Sequence, residues 1–309
     1  MLALTAAPGK PGSVELRELP EPGAFDHQAL VQVKAVSLNR GETRRLADMG
    51  DGELTGWDLA GVVVEPARDG SGPRAGARVV GMVGRGAWAQ LAAVDTDMLS
   101  ELPEGVSFEQ AATLPVAGLT ALKALDIIGP VVSRRVLVTG ASGGVGRFAV
   151  QLARLAGARV SAVSSSPERA RALKELGAEE ILHELTSEGE DFHGIVEGVG
   201  GATLSAAIQR VSAFGVIVSF ASSDTSPVQF PTRAFFGRAP GACLRGLYLF
   251  AELQRERSGS RDLGRLAQLV AEGRLDCSID HVGSWREAAE AIQALLGRRI
   301  AGKAVLLLD

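Results

Sequence analysis

A glycine-rich turn between an apolar strand and an apolar helix constrains this 309-residue chain more than any other feature. The segment Val136-Leu-Val-Thr-Gly-Ala-Ser-Gly-Gly-Val-Gly-Arg147 has the spacing G-x-G-x-x-G, with Ala141 in the first glycine position. Gly143 then lets the backbone approach a pyrophosphate, and Gly146 lets the helix pack closely on the strand. The helix N-terminus offers unpaired N–H groups to phosphates. The turn therefore predicts a dinucleotide site, and a turn without a ligand is the structural alternative.

Two other motifs overlap this turn. The spacing G-x-S-x-G around Ser142 is also that of a serine-hydrolase nucleophile elbow, with His281 as the one histidine in a suitable position. An elbow leaves Gly146 unexplained, so this interpretation is disfavoured. A short-chain dehydrogenase would need Tyr and Lys four residues apart, but the single tyrosine, Tyr248, is followed at that distance by Glu252. That interpretation is rejected.

The end of the next predicted strand indicates which dinucleotide is bound. An NAD site carries Asp or Glu about 20 residues after the turn, where it binds the ribose hydroxyls. Here Ser164, Ser165 and Ser166 occupy that place, and Arg169 follows. Hydroxyl and guanidinium groups favour a 2′-phosphate, so NADPH is the predicted cofactor. The alternative is that Ser166 only caps a helix and Arg169 is solvated.

The pattern of apolar runs divides the chain. Residues 1–100 carry short β-branched runs bounded by Gly and Pro, including 29–36, 61–65, 78–83 and 87–94, which predict a β-rich domain. Ser107 and Gln110 have capping-box spacing and predict a helix start. From Arg135 strands and helices alternate, up to a last strand at 244–250, which predicts a parallel sheet covered on both faces. The remaining chain predicts helices at 261–272 and 285–296 and a strand at 304–308.

Composition excludes several classes of function. The formal net charge of −4 argues against nucleic-acid binding as a main role. No uncharged apolar run reaches about 18 residues, so no membrane span is expected. The two cysteines, Cys243 and Cys277, form no disulfide framework and no cluster with metal-ligand spacing. Isolated thiols suit a reducing, cytoplasmic location.

Several stretches resemble the zinc-independent, quinone oxidoreductase-like branch of the medium-chain dehydrogenases/reductases. They are 36–41, 56–61, 86–90, 111–121, the glycine turn and Gly302-Lys303. The resemblance implies a β-rich GroES-like catalytic domain (1–108 and 252–309) and a doubly wound Rossmann NADP-binding domain (109–251). The positions of the catalytic zinc ligands of related enzymes hold Asn39, Trp57 and Val116 here, which cannot replace thiolates or imidazole. No metal is therefore expected.

The resemblance also assigns roles to individual residues. It places the pyrophosphate on Ser142, Gly143, Gly144 and Val145, the 2′-phosphate on Ser164, Ser165 and Arg169, the adenosine side on Val199, and the nicotinamide side on Asn39, Thr120, Phe220, Ala221 and Lys303. Trp57 and Arg40 are expected at the substrate pocket. Glu197-Gly198 departs from the Asp-Ser or Asp-Thr usual in the family.

The expected reaction is hydride transfer from NADPH to a quinone or an α,β-unsaturated carbonyl compound. The Asn39 amide could stabilise the developing oxygen charge, and water or Tyr248 could supply the proton. One alternative is an enoyl-thioester reductase, whose carrier or coenzyme A phosphate could bind Arg40, Arg44 and Arg45. Another is an NADPH-binding protein with no turnover. The family resemblance further implies a homodimer paired along residues 243–249.

Overall fold

The computed structural model describes residues 1–308. The strands are β1 (Leu2–Ala6), β2 (Val14–Glu18), β3 (Gln28–Leu38), β4 (Asp58–Glu65), β5 (Arg78–Met82), β6 (Leu91–Asp95), β7 (Leu99–Glu101), β8 (Arg135–Val138), β9 (Arg159–Val163), β10 (Glu180–Leu182), β11 (Phe192–Glu197), β12 (Val211–Ser219), β13 (Cys243–Gly246), β14 (Ile279–Ser284) and β15 (Lys303–Leu307). The helices are α1 (Arg40–Arg45), α2 (Phe108–Ala112), α3 (Leu119–Ile128), α4 (Gly144–Leu155), α5 (Pro167–Glu175), α6 (Gly201–Arg210), α7 (Leu249–Glu256), α8 (Gly259–Ala271) and α9 (Ala288–Leu296).

The chain forms two compact units. The first contains Met1–Leu119 and the residues from Leu253 onward, and the second contains Thr120–Glu252. The division predicted from the sequence instead set the first boundary after residue 108. In the structure α2 packs on β3, β4 and β5 of the first unit. The assignment of a catalytic role to one unit and a cofactor role to the other stays a prediction.

The first unit is built on a seven-stranded sheet. Its order is β14-β15-β3-β4-β5-β7, and β6 also pairs with β3. All pairs are antiparallel except β14 with β15. The last strand, β15, lies between β14 and β3, with Ala304 opposite Leu38. A core containing the fully buried Trp88 and Trp285 packs within this unit.

The second unit is a six-stranded parallel sheet with the order β10-β9-β8-β11-β12-β13. Its central strands carry unbroken buried apolar runs, such as Val136, Leu137 and Val138 in β8, because helices cover both faces. A strand order that reverses at β8 is that of a doubly wound sheet, whose ligands collect beyond the carboxyl ends of the strands. The α/β fold with a β-rich first unit is thus confirmed.

Local sequence signals account for several element ends. Ser107 Oγ accepts from the backbone N–H of Gln110 at 3.2 Å, and the Gln110 side chain accepts from the Ser107 N–H at 3.0 Å, so the capping box is confirmed. The expected strand 244–250 is wrong in its second half. β13 ends at Gly246 and α7 begins at Leu249, so Tyr248 lies in the connection between them.

The expected strand 87–94 is also displaced. β6 covers Leu91–Asp95, whereas Ala87, Trp88 and Ala89 are fully buried in the preceding irregular segment. Their apolar run therefore fills the core without forming a continuous strand. Within residues 1–308, no helix combines the length and the apolar character needed to span a bilayer.

Candidate functional site

The glycine turn joins β8 to α4 in the second unit. Gly140 has φ +57°, and Gly143 is the N-cap of α4. A Cβ atom at Gly146 would lie 2.5 Å from the carbonyl oxygen of Gly140 and 2.6 Å from Cα of Ala141. Only glycine therefore lets α4 pack this closely on the turn. The first N–H groups of α4 have no partner within the helix and can bind an anion.

The turn has room for phosphate where Gly143 lies. A Cβ atom there would have one neighbour, the Gly140 carbonyl oxygen at 3.4 Å, which is ordinary contact. Gly143 therefore borders open space, whereas Gly146 is enclosed. Ser142 Oγ lies 3.3 Å from Ser164 Oγ, because β8 and β9 are neighbours in the sheet. Hydroxyl groups beside a backbone cradle suit a dinucleotide, and the contacts of the individual residues with it stay predictions.

The segment after β9 carries the residues expected to hold a 2′-phosphate. Ser164 is buried, and its hydroxyl donates to the carbonyl oxygen of Ser166 at 3.4 Å. Ser165 is exposed, and Arg169 is half-buried in the first turn of α5. Ser166 Oγ accepts from the Arg169 N–H at 3.4 Å, so Ser166 caps α5 as the structural alternative held. Binding of a 2′-phosphate by Ser164, Ser165 and Arg169 stays a prediction.

Glu197 shapes the next loop at this edge of the sheet, a role that is not predicted from the sequence. It is fully buried at the end of β11, and its Oε1 accepts from the N–H groups of Val199 at 2.7 Å and Gly200 at 2.9 Å. Hydroxyl groups from the two flanking strands, of Thr139 and Ser219, also donate to this carboxylate at 3.2 Å. The carboxylate therefore holds the loop in place. The sequence signal that could have identified Glu197 is the departure of Glu197-Gly198 from the family pattern.

Four other predicted cofactor residues lie in this unit. Val199 follows Glu197, and Phe220 and Ala221 follow β12. The Phe220 ring packs on Gly198, where a Cβ atom would lie 2.5 Å from Cζ. Thr120 is buried near the start of α3. Their contacts with a cofactor stay predictions.

A second group of functional candidates lies in the first unit, around the buried carboxylate of Asp58. The strand order β15-β3-β4 places Lys303, Ser37 and Asp58 on neighbouring strands. Asp58 Oδ2 accepts from Ser37 Oγ and Asn39 Nδ2, each at 2.7 Å. Asp58 Oδ1 accepts from the N–H of Val116 at 3.0 Å. Val116 belongs to a π-helical turn, Leu114–Gly118, a geometry that often occurs at functional sites.

These contacts fix the Asn39 amide in one orientation. Its Oδ1 accepts from Lys303 Nζ at 2.7 Å, and its Nδ2 donates to Asp58 at 2.7 Å and to Glu42 Oε1 at 3.1 Å. A reversed amide would turn its oxygen towards two carboxyl groups. Because both N–H bonds of Nδ2 are used inside the protein, none is left for a substrate oxygen. The geometry therefore opposes the expected donor role of Asn39.

Glu42 completes this network and was not singled out in the sequence. It is buried, and Oε1 also accepts from the backbone N–H of Asn39 at 2.8 Å. Its Oε2 is buried without a hydrogen-bond partner among the described residues. Burial raises the pKa of Glu42 well above its usual value, and the neighbouring Asp58 carboxylate adds to the rise. We infer that Glu42 is neutral and that Asp58 carries the charge.

Lys303 supplies the balancing charge. Its Nζ lies 3.6 Å from Asp58 Oδ2 and donates to the Leu38 carbonyl oxygen at 3.2 Å. Burial lowers the pKa of this ammonium group, and Asp58 opposes that effect. Burial likewise raises the pKa of Asp58, while Lys303 and the Asn39 amide oppose the rise. The signal missed in the sequence was a carboxylate, Asp58, at the start of an apolar strand.

The two residues expected at the substrate pocket, Trp57 and Arg40, lie in the first unit, and their predicted role stays a prediction. A Cβ atom at Gly41 would lie 3.2 Å from Cη2 of Trp57, so the half-buried indole packs on Gly41, the residue that follows Arg40 in α1. Tyr248 lies in the second unit and is 69% exposed, with its ring 5.8 Å from that of Phe250. Its predicted proton-donor role is not tested by these contacts.

The residues present do not fit a catalytic zinc ion. Among residues 1–308, no group of three or more His, Cys, Asp or Glu side chains is arranged to hold a metal ion. Asn39 is fully engaged by its neighbours, and Val116 contributes only its backbone N–H to Asp58.

Two family matches cover separate parts of the chain. Residues 25–104 match the alcohol dehydrogenase GroES-like domain, and residues 144–255 match the zinc-binding dehydrogenase family. A trans-enoyl reductase of Aspergillus terreus is 35% identical over 206 residues, which are 58% of this chain and 67% of that protein. A chloroplast envelope quinone oxidoreductase homolog of Arabidopsis thaliana is 34% identical over 197 residues, and the match covers 59% of this chain. This chain spans only 60% of that plant relative's length.

Solved structures share the whole architecture. The quinone oxidoreductase from Coxiella burnetii has a TM-score of 0.84 and 27% identity, and the match covers 100% of this chain and 99% of that one. A mycobacterial protein solved in complex with NADPH has a TM-score of 0.87, covering 99% and 100% of the two chains. At 23% identity, this likeness shows only that the two chains share a fold. The relatives and the glycine turn together support a nicotinamide cofactor.

Proposed function

This chain belongs to the quinone oxidoreductase-like medium-chain dehydrogenases/reductases, and from that premise we propose that it reduces a quinone or an α,β-unsaturated carbonyl compound with NADPH. When bound, NADPH supplies a hydride. In an enone the β-carbon accepts the hydride, the electron pair moves to the carbonyl oxygen, and the α-carbon takes a proton. Such acceptors need no metal to polarise them, in keeping with a donor set that does not fit zinc.

The observation that carries the proposal is the cradle at the start of α4. Ser142, Gly143, Gly144 and Val145 would hold the pyrophosphate, because the enclosed Gly146 sets the helix N-terminus against open space at Gly143. Glu197 keeps the neighbouring loop in place through its two backbone contacts. This part of the chain binds and orients the cofactor.

The preference for NADPH over NADH is proposed from the segment after β9. Ser164 and Ser165 follow β9 at the position where a carboxylate would repel a 2′-phosphate, and Arg169 lies in the first turn of α5. Charge-assisted hydrogen bonds from a guanidinium group suit that phosphate. Acceptor chemistry in the first unit is proposed to lie beside Trp57 and Arg40. There the hydrogen bonds to Asp58, Glu42 and Lys303 hold the Asn39 side chain in one orientation. Water is proposed to supply the proton, and Tyr248 is the alternative source.

Titration with NADPH and NADH, followed by tryptophan fluorescence, tests the cofactor proposal. We expect Arg169→Ala to weaken NADPH binding by about tenfold, the loss of one charge-assisted hydrogen bond, and to leave NADH binding unchanged. Arg171→Ala, an exposed change on the same helix, is the control. Equal affinities of the wild type for both cofactors would overturn the assignment of Ser164, Ser165 and Arg169.

Turnover is tested by loss of NADPH absorbance after addition of 1,4-benzoquinone or an enone. A reductase consumes NADPH only when an acceptor is present. Binding of NADPH without consumption by any acceptor would favour the alternative of a non-catalytic NADPH-binding protein. The second enzymatic candidate is an enoyl-thioester reductase, which the trans-enoyl reductase relative favours.

Two further proposals concern the setting of the enzyme. A homodimer is proposed through β13, because all four residues of this edge strand are exposed. A cytoplasmic location is proposed from the two free thiols, of which Cys243 is exposed and Cys277 is buried.

A further inference from the structure

A cavity of about 430 Å³ lies in the second unit, at the edge of the sheet opposite the glycine turn. Its lining includes Ser187, Gln209 and Arg238, which precede β11, β12 and β13 along the chain. These three strands are parallel to β8, so the cavity lies near their amino ends. The glycine turn follows β8, at the carboxyl ends. The cavity is therefore separate from the predicted cofactor cradle.

The charged residues that line this cavity are both arginines, Arg233 and Arg238. Arg238 forms an ion pair with Asp191. Arg233 is exposed and makes no hydrogen bond or ion pair with any of residues 1–308, and its guanidinium carbon lies 5.8 Å from the centre of the Phe236 ring. An aromatic ring attracts a guanidinium group without neutralising it. Arg233 therefore brings a positive charge to the cavity that no carboxylate contacts.

A third guanidinium group lies behind the wall of the cavity. Arg210 follows Gln209 in the chain and is only 5% exposed. It donates to the carbonyl oxygens of Thr186 at 3.1 Å and Glu188 at 2.6 Å, the residues on either side of Ser187. It makes no ion pair with any of residues 1–308. Buried charges are normally paired, so this part of the wall rests on a cation that no carboxylate contacts.

We propose that this cavity binds a small phosphate-bearing metabolite, and that Arg233 and Arg238 contact its phosphate group. Guanidinium groups match phosphate oxygens with paired, charge-assisted N–H bonds. Ser187 and Gln209 offer a hydroxyl and an amide group to the rest of the molecule. The volume falls within the range of about 300–1,000 Å³ that is usual for small-molecule sites. The site does not depend on the proposed reductase function.

Calorimetry with ribose 5-phosphate, ribose and inorganic phosphate tests the site, with and without NADPH. We expect ribose 5-phosphate to bind most tightly of the three, because it alone offers both a phosphate and a sugar. Arg233→Ala should raise its Kd by about tenfold to a hundredfold, the loss of charge-assisted hydrogen bonds. Arg233→Lys should restore part of the affinity. Arg134→Ala, at an exposed arginine just before β8, is the matched control.

Four results would overturn the proposal. The wild type binds neither ribose 5-phosphate nor inorganic phosphate, or it binds both equally well, which reduces the ligand to the ion. Bound NADPH abolishes the binding of ribose 5-phosphate, which assigns the phosphate to the glycine turn. Arg233→Ala binds ribose 5-phosphate as tightly as the wild type does.

The fold and the reductase function are checked separately. Arg233→Ala should keep the wild-type Tm, because the side chain is exposed and makes no hydrogen bond with residues 1–308. If the proposed reductase function fails, no acceptor leads to consumption of NADPH. Ribose 5-phosphate should then still bind the wild type more tightly than it binds Arg233→Ala.

Discussion

At the scale of single residues, two carboxyl groups in the first unit both bind the Asn39 amide but have opposite charge states. Asp58 receives hydrogen bonds on both oxygens and faces the Lys303 ammonium group, so it stays charged. Glu42 has one oxygen without a partner and lies beside that charge, so neutrality is favoured. Replacing each carboxyl group by its amide should therefore change the free energy of unfolding by different amounts.

We expect Asp58→Asn to destabilise the protein by about 3–5 kcal/mol, because it leaves the buried Lys303 ammonium group without a counter-charge. Glu42→Gln should change the free energy of unfolding by less than about 1 kcal/mol, since a glutamine oxygen can accept the same two hydrogen bonds. Urea denaturation of the two variants at one pH measures both effects. Equal losses of stability would contradict the assigned charge states.

The pH dependence follows from the raised pKa of Glu42. The folded protein holds this proton more tightly than the unfolded chain, whose carboxyl titrates near 4.5. The resulting stability is complete below that pH and is lost as the pH rises through the folded pKa. The wild type should therefore lose stability relative to Glu42→Gln as the pH is raised from 5. If the wild type instead gains stability relative to Glu42→Gln as the pH rises, the raised pKa of Glu42 is refuted.

At the scale of elements, sequence patterns predicted the second unit best. Its unbroken apolar strands with helices between them and the serine cap at Ser166 are local signals that the structure follows, as is the cap at Ser107 in the first unit. The Asp58 network was out of reach, because Lys303 and Asn39 meet only through pairing of β15 with β3. Nothing local records that pairing. The second half of the expected strand 244–250 failed because an apolar run alone does not separate a strand from the start of a helix.

Strand β13 carries a prediction about assembly. It is an edge strand, and Leu244 is 43% exposed, with the exposed Tyr248 just beyond its end. Edge strands with exposed apolar side chains tend to pair with another chain. We expect the wild type to sediment as a dimer and Leu244→Lys to shift it towards monomer at the same concentration. Val132→Lys, at another exposed apolar residue of this unit, is the control. A wild-type monomer at all concentrations would contradict the dimer proposal.

At the scale of the whole molecule, the last strand, β15, belongs to the first unit, together with the N-terminal residues. Val305 in β15 is fully buried, whereas Val282, its partner in β14, is 49% exposed. All three tryptophans lie in this first unit, so their emission reports its folding.

We expect Val305→Asp to shift tryptophan emission to longer wavelength without denaturant. A buried unpaired charge costs several kcal/mol, against a typical total stability of about 5–15 kcal/mol. Val282→Asp should keep the native emission, because its charge stays in water. The same emission from both variants would show that β15 is dispensable for this unit.

The position of β15 also sets an order of events during synthesis. The second unit is continuous in sequence, so a ribosome releases everything it needs before Leu253 emerges. Most strands of the first unit leave the ribosome earlier. One edge of β3 nevertheless stays unpaired until β15, more than 260 residues downstream, has been synthesised. In the nascent chain the unit that begins first is completed last, and its open strand edge is the place where chaperones would be needed.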